Sequence, residues 1–183
     1  MFTRRLLGLV ILAGLLAGCG NGDSMESLGG ATMGSTYSIK YVRRAGLPEP
    51  KQVRGEVEGI LGEVDRQLST YRNDSDIERF NALPANSCQK MPAAVLELVR
   101  TGEQLSAQSE GSYDLTVEPL MNLWGFGPQG REEKVPDATA LAEVMQRVGH
   151  QHLHIHGEQL CKDAAVEVDF NSIAAGYVVD TIA

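Results

Sequence analysis

The sequence predicts an α+β protein in which a mostly antiparallel sheet is flanked by helices. Two kinds of periodicity lead to this fold class. Residues 36–43, about 150–157 and 165–170 show the short alternating or apolar runs of β-strands. Three longer segments, beginning near Val53, Pro92 and Pro136, repeat apolar residues every three to four positions, which is typical of amphipathic helices.

The composition indicates a globular domain with an acidic surface. The 183 residues are 43% hydrophobic and 22% charged, with a formal net charge of −8. No Lys/Arg-rich run is present, which argues against nucleic acid as a partner. A small anionic cofactor remains compatible, because helix N-termini and a metal ion bind phosphate without net positive charge.

The N-terminus has the pattern of an export signal. Arg4 and Arg5 precede an apolar run at 6–17 that is shorter than the roughly 20 residues of a membrane span. Residues 16–19 resemble a bacterial lipobox, in which Cys19 is acylated and becomes the mature N-terminus. We therefore expect a lipoprotein signal peptide at 1–18, a tether at 19–28 and a folded domain at 29–183. The product would be a membrane protein, anchored through its lipid on the periplasmic side.

Two further cysteines would then lie in an oxidising compartment. Cys88 and Cys161 are compatible with a disulfide and equally with two buried free thiols, since two cysteines give no spacing pattern.

The first half of the domain is predicted to run from turn to strand to helix. Residues 29–36 are small and indicate a flexible turn, and a half-buried strand follows. An amphipathic helix then reaches Leu68. Ser75 and Glu78 have the spacing of a capping box, which predicts a short second helix and places Tyr71 and Arg72 on the turn between helices. There they either stack on a planar ring and pair with a phosphate, or pack on the domain and pair with Asp74 or Asp76.

In the second half, the sequence predicts one helix after Pro92 and another that begins at Pro136 and Asp137. The later helix would end at Gly149 and face inward with its apolar residues Leu141, Val144, Met145 and Val148. Four histidines then alternate at 150–156. They indicate a solvated or partly packed strand face, with metal binding as the alternative. Near the end, Asn171 or Ser172 would cap a helix whose slim first turn suits a diphosphate.

Residues 110–128 form the stretch richest in ligand-binding signals. Glycines permit close approach of the backbone to a ligand, and Pro119 and Pro128 prevent one continuous helix. Trp124 and Phe126 have the spacing of one strand face and could line an aromatic pocket. Asp114, Thr116 and Asn122 would be its polar groups. A Trp packed in a Gly-rich corner is the alternative.

This stretch resembles the G-x-x-D-x-T-V-x-P-L-x-N-L-W-G-F-G-P signature of the FAD:protein FMN transferases, the ApbE family. Residues 69–81 resemble the family motif S-T-Y-R-x-D-S-x-x-x-x-F-N, and 169–180 resemble D-[LF]-x-x-I-A-K-G-Y-x-V-D. The three motifs occur in the family's order.

The resemblance implies a T-fold-like domain and a transfer reaction. FAD would be bound, its FMN half moved onto a Thr or Ser hydroxyl of an exported flavoprotein subunit, and AMP released, with Mg²⁺ neutralising the phosphates. An FAD diphosphatase and a non-catalytic flavin-binding lipoprotein remain as alternatives.

The resemblance also implies roles for individual residues. Met33 would lie at the entrance of the flavin pocket and Tyr71 would contact the flavin. Ser112, Tyr113 and Asp114 match the family's FAD-binding tripeptide, Asp169 matches an FAD-contacting carboxylate, and Ser172 matches a metal ligand acting through its backbone carbonyl. Ala175 stands where the family has an FAD-contacting Lys. The family domain continues for a comparable length with the other metal ligands, so the resemblance implies a C-terminally truncated domain, inactive by itself.

Overall fold

The computed structural model describes residues 23–127 and 135–183 of the chain. The chain divides into two compact units, with the boundary between Glu56 and Val57. The predicted signal peptide and Cys19 lie outside the described residues. Within the described ranges, no helix has the length and hydrophobicity needed to cross a membrane.

A β-hairpin makes up most of the described part of the first unit. Strand β1 (Ser24–Thr32) pairs antiparallel with β2 (Ser35–Arg43) along its whole length. Met33 and Gly34 form the two-residue turn with φ of 41° and 70°, the left-handed backbone that such hairpins require. The strand predicted at 36–43 is confirmed. Strand β1 was not predicted. It occupies the expected tether from Ser24 onward and the first four residues of the turn predicted at 29–36, so that only Met33 and Gly34 form the turn. Its sequence has no clear alternation, and its backbone hydrogen bonds come from pairing with β2.

Helices α1 (Pro50–Leu68) and α2 (Asp76–Asn81) follow as predicted. Helix α1 buries Val57, Leu61, Val64 and Leu68 on one face. Ser75 is the N-cap of α2, and its Oγ accepts the backbone N–H of Glu78 at 3.0 Å. The Glu78 side chain does not complete the capping box. Its Oε1 instead accepts a hydrogen bond from Asn81 Nδ2 at 3.1 Å.

The second unit contains a three-stranded antiparallel sheet in the order β3–β5–β4. Its strands are β3 (Ser87–Lys90), β4 (Leu153–His156) and β5 (Gln159–Lys162). The strand predicted at about 150–157 begins only at Leu153, since residues 150–152 form a 3₁₀ turn. The strand predicted at 165–170 is wrong: this segment makes only an isolated bridge, between Glu167 and Val117.

A disulfide joins β3 to β5. Cys88 and Cys161 face each other in the register of the two strands and their sulfurs are bonded. Of the two alternatives left open by the sequence, the bridged one is therefore correct.

The remaining helices are α3 (Ala93–Gln108), α4 (Glu118–Leu123), α5 (Ala138–Met145) and α6 (Asn171–Ile182). Asp137 caps α5 by accepting from the Ala140 N–H at 2.9 Å. Helix α5 ends at Met145, before Gly149, and has no fully buried residue. Its predicted inward face is only partly covered: Leu141 and Val144 are half-buried, whereas Met145 is 50% exposed. Helix α4 was not predicted, because only six residues, Pro119 among them, carry it.

The start of α6 differs from the prediction in its cap. The helix begins at Asn171, but Phe170 occupies the N-cap position and makes no side-chain cap. The Asp169 carboxylate accepts the Asn171 N–H instead, at 2.5 Å. The predicted class, α+β with antiparallel strands and flanking helices, is confirmed.

Gly102 in α3 allows Leu115 to pack against that helix. A Cβ at this position would collide with the Leu115 side chain, which is only 2% exposed. We expect Gly102→Ala to destabilise the protein by about 1–3 kcal/mol through overpacking. Gly59→Ala in α1 is the matched control, because its Cβ meets nothing within 4 Å and Ala favours helices. Urea unfolding of both variants checks this; equal stabilities would contradict it.

Candidate functional site

The turn between α3 and α4 is organised by the Asp114 carboxylate. Its Oδ1 accepts the Thr116 N–H and the Thr116 hydroxyl, both at 2.7 Å, and its Oδ2 accepts the His150 N–H at 2.8 Å. The Thr116 hydroxyl accepts in turn from the Gly149 N–H at 2.7 Å. Asp114 and Thr116 thus hold the 149–150 turn against the 112–116 turn. Two residues predicted as polar groups of a pocket have this structural role.

The next residues along this turn meet the segment before α6. The Asp169 N–H donates to the Leu115 carbonyl at 2.8 Å. The Tyr113 hydroxyl lies 2.9 Å from the Ser172 hydroxyl in the first turn of α6. The structure therefore brings together the turn that contains Tyr113 and Asp114 and the segment that contains Asp169 and Ser172, although these two pairs of residues are more than fifty positions apart in the sequence.

The electrostatics of this cluster follow from burial among carboxylates. Burial raises the pKa of Asp169, and two hydrogen bonds from Asn171 oppose the rise. Burial also raises the pKa of the Tyr113 hydroxyl, and the charges of Asp169 and Asp114 add to this effect. Both groups are therefore held closer to their neutral forms than in water.

Three exposed aromatic residues lie on two turns joined by a hydrogen bond. Tyr71, Trp124 and Phe126 are 63%, 41% and 66% exposed, and the Tyr71 hydroxyl donates to the Phe126 carbonyl at 3.3 Å. Tyr71 is not packed on the domain, and Trp124 is not the buried corner residue of the alternative interpretation. The strand spacing predicted for Trp124 and Phe126 is wrong, since Trp124 caps the C-terminus of α4. The aromatic rings are nonetheless available to a planar ligand.

Arg72 behaves as the structural interpretation predicted. Its guanidinium donates to both oxygens of Asp74 and to Asp65 Oδ2, each at 2.9 Å. The other suggested partner, Asp76, pairs with Arg66 and Arg79 instead. The Arg72 guanidinium, which was considered as a phosphate-binding group, is thus already paired with two carboxylates.

The remaining predicted site residues are exposed. Met33 lies in the turn of the hairpin and is 38% exposed. Ser112 and Ala175 are exposed, the first in the α3–α4 turn and the second on α6. The alternating histidines do not share one strand, because His150 and His152 lie in the 3₁₀ turn and His154 and His156 lie in β4. His152 and His154 hydrogen-bond Asp163 at 2.7 and 3.0 Å. In the part of the chain that the structure describes, no group of three or more His, Cys, Asp or Glu could hold a metal ion.

Two orphaned polar atoms beside the aromatic turns fit a polar ligand. Thr70 Oγ1 and Asn122 Oδ1 are buried without a hydrogen-bond partner. Thr70 directly precedes Tyr71, and Asn122 lies two residues before Trp124. A Cβ on Gly127 would collide with Asn122 Oδ1, so only glycine fits beside that atom. A buried donor or acceptor without a partner costs about 1–3 kcal/mol, which a bound ligand group would recover.

A buried polar cluster beneath the site was missed from the sequence. Glu118 is 3% exposed, and its carboxyl interacts with those of Glu78 and Asp169. Asn81 Nδ2 donates to Glu118 Oε2 at 2.5 Å. Nearby, Lys162 is 2% exposed and its Nζ donates to two backbone carbonyls. Glu118 lies within residues 110–128, where an acidic residue followed by Pro119 interrupts an otherwise apolar run. This interruption was the signal in the sequence that could have indicated a buried carboxyl.

Known proteins match this chain over most of its length. Residues 33–183 match the model of the ApbE family. The FAD:protein FMN transferase of Vibrio cholerae is 40% identical over 178 residues, which cover 96% of this chain and 53% of that protein. The FAD:protein FMN transferase of Haemophilus influenzae is 36% identical over 181 residues, which cover 95% of this chain and 52% of that protein.

Solved structures agree with these matches. The apo form of the flavinyl transferase ApbE of Pseudomonas stutzeri is 59% identical with a TM-score of 0.84, over 87% of this chain and 52% of that chain. The flavin transferase ApbE of Vibrio cholerae is 38% identical with a TM-score of 0.85, and the match covers 88% of this chain and 52% of that chain. The chain thus spans about half the length of the relatives that it matches.

Proposed function

Because the chain belongs to the ApbE family, we propose that the protein is an FAD:protein FMN transferase. It moves FMN from FAD onto a Thr or Ser hydroxyl of an exported flavoprotein subunit and releases AMP. The observation that carries the proposal is the contact between the turn that contains Tyr113 and Asp114 and the start of α6: the Tyr113 hydroxyl lies 2.9 Å from that of Ser172, and the Asp169 N–H donates to the Leu115 carbonyl. These residues come from two of the three family motifs, and the resemblance assigns Tyr113, Asp114 and Asp169 to FAD, so their proximity supports the proposal.

The reaction needs few groups from the protein. The acceptor hydroxyl attacks the phosphorus of the FMN half, a new P–O ester bond forms, the pyrophosphate P–O bond breaks, and AMP carries away the electron pair. The hydroxyl proton leaves to solvent or base. Catalysis then depends on holding the diphosphate in line with the acceptor. Mg²⁺ would neutralise charge on the phosphates, and the Ser172 carbonyl would be one of its ligands.

The described residues would hold FAD at two places. The exposed rings of Tyr71 and Phe126 stack on the flavin, and the buried oxygens of Thr70 and Asn122 are available for its polar edge. The N-terminal end of α6 faces the diphosphate, with the Tyr113 and Ser172 hydroxyls as donors. Asp169 is the carboxyl that the resemblance assigns to FAD, and burial raises its pKa.

We also propose that the protein is lipid-anchored through Cys19 on the periplasmic side. The export signal and lipobox support this location. The Cys88–Cys161 disulfide adds support, because such bonds persist in oxidising compartments. The acceptor would then be an exported subunit of a redox complex.

A transfer assay tests the proposed activity. The intact protein is incubated with FAD, Mg²⁺ and an exported flavoprotein domain, and the domain is weighed by mass spectrometry. We expect its mass to increase by that of FMN less one water, with one AMP released per transfer. A domain whose acceptor hydroxyl is replaced, Thr→Val, is the control and should gain no mass.

The other outcomes of the assay identify the alternatives. Free FMN and AMP without a modified domain would mark an FAD diphosphatase. Bound, unchanged FAD would mark a flavin-binding lipoprotein. Either result contradicts the transferase.

A further inference from the structure

We propose that Glu118, sharing one proton with Glu78, positions Asp169 for FAD through Asn81, and that FAD binding weakens when this proton is lost. This inference rests on the proposed function only in its FAD-binding part. Glu118 contacts neither the reacting atoms nor the acceptor in this proposal; it acts on Asp169 through its neighbours.

Asn81 clamps the backbone directly before Asp169. Its Oδ1 accepts the Val168 N–H at 2.8 Å, and its Nδ2 donates to the Val168 carbonyl at 3.0 Å. On the other side, the Asp169 N–H donates to the Leu115 carbonyl at 2.8 Å. The backbone at Asp169 is therefore held by α2 on one side and by the α3–α4 turn on the other. A side chain anchored in this way keeps a defined position for a ligand.

The Asn81 amide has more acceptors than it has hydrogens. Its Nδ2 carries two hydrogens, yet it lies within hydrogen-bond distance of Glu78 Oε1 (3.1 Å), Glu118 Oε2 (2.5 Å) and the Val168 carbonyl. A proton on Glu118 resolves this shortage, since the neutral acid donates to Glu78 and needs less from Asn81. Two carboxylates, by contrast, would both compete with the Val168 carbonyl for the same two hydrogens.

The surroundings keep this proton in place at neutral pH. Burial raises the pKa of Glu118 to about 8, and the charges of Glu78 and Asp169 contribute. Burial also raises the pKa of Glu78. Lys162 on β5 is a cation that faces the cluster. Burial lowers its pKa to about 8, and the positive charge of Arg147 adds to this effect. We therefore expect Glu118 to be protonated at pH 7 and to ionise in mild alkali.

The direction of the pH effect follows from proton linkage. The ordinary pKa of Glu118 is 4.5 and its folded value is about 8, so the folded protein holds a proton there that the unfolded chain has released. The stability contribution of this proton is complete below pH 4.5 and is lost as the pH rises to about 8. FAD affinity, which requires the protonated cluster, then falls about tenfold per pH unit above 8.

The experiment measures FAD affinity by fluorescence titration, and Tm, between pH 5 and pH 9 on the intact protein. For wild type we expect the dissociation constant of FAD to rise about tenfold between pH 7 and pH 9, and Tm to fall between pH 5 and pH 8. Glu118→Gln keeps a neutral hydrogen-bonding group and should show flat affinity and a smaller decline in Tm. Glu118→Ala should bind FAD weakly at every pH.

Two variants sharpen the test. Glu97→Gln removes an exposed carboxyl of α3 and should follow the wild-type profile. Glu78→Gln removes the neighbouring negative charge, so the loss of affinity should begin at lower pH. This second variant decides the question if Glu118→Gln does not fold.

The following results would overturn the inference. Glu118→Gln with the wild-type pH profile, or Glu78→Gln with an unchanged midpoint, excludes a role for the shared proton. If wild type binds no FAD at any pH, the proposed function fails. The shared proton is then tested by Tm alone. If Tm declined equally with pH in wild type and in Glu118→Gln, the shared proton would be rejected.

Discussion

Replacing Asp114 by Ala is expected to lower the free energy of unfolding by roughly 3–6 kcal/mol and to remove tight FAD binding. The Asp114 carboxylate accepts three hydrogen bonds, from the Thr116 N–H, the Thr116 hydroxyl and the His150 N–H. Thr116 is fully buried, so its donors find no water as a substitute. A buried donor left without its acceptor costs about 1–3 kcal/mol, and this variant leaves up to three.

Asp137→Ala is the matched control for this variant. Asp137 also accepts a backbone N–H through its carboxylate, but it does so once, at the exposed start of α5. Loss of such a cap costs about 1 kcal/mol. Urea unfolding of the two variants, followed by FAD titration at a temperature where both are folded, makes the comparison. If both variants lost the same stability, Asp114 would not organise the site as described.

Removing the Cys88–Cys161 disulfide is expected to cost about 4 kcal/mol. The bond closes a loop with a sequence separation of 73, and the entropy that it removes from the unfolded chain grows with loop length. For a chain of this size the loss corresponds to a decrease in Tm of roughly 10 °C. Thermal unfolding with and without a reductant measures it.

The control for the reductant is the double variant Cys88→Ser, Cys161→Ser. It should unfold at the lower temperature under both conditions, because it has no bond left to reduce. Thiol labelling of the unfolded wild-type protein should find both cysteines protected until the reductant is added. Two reactive thiols without reductant would show that the cysteines are not bridged.

Local sequence signals predicted those elements whose stabilising contacts lie within a few residues. Ser75 and Asp137 accept N–H groups three residues ahead, and a helix start can be found from such spacing alone. The inward face of α1 follows from its helical period in the same way. Helix α4 was missed because six residues carry too little periodicity to be distinguished from a loop.

The candidate site was predictable in its residues but not in its connections. The family motifs marked Tyr71, Asp114 and Asp169. Nothing in them indicated that Asp114 would hold the His150 backbone, or that Glu118 would be buried beside Glu78. Such pairings depend on which turns pack together. A short range of sequence does not contain that information.

By itself the sequence determined the α+β class, the starts of the main helices and the family, because periodicity, capping and motif spacing are properties of neighbouring residues. The tertiary structure alone decided the pairing of β3 with β5, the disulfide between them and the clamp of Asn81 on Val168, 87 residues away. These contacts join groups that are distant in the chain. Their free energy comes from burial and from backbone hydrogen bonds, which exist only once the elements have packed.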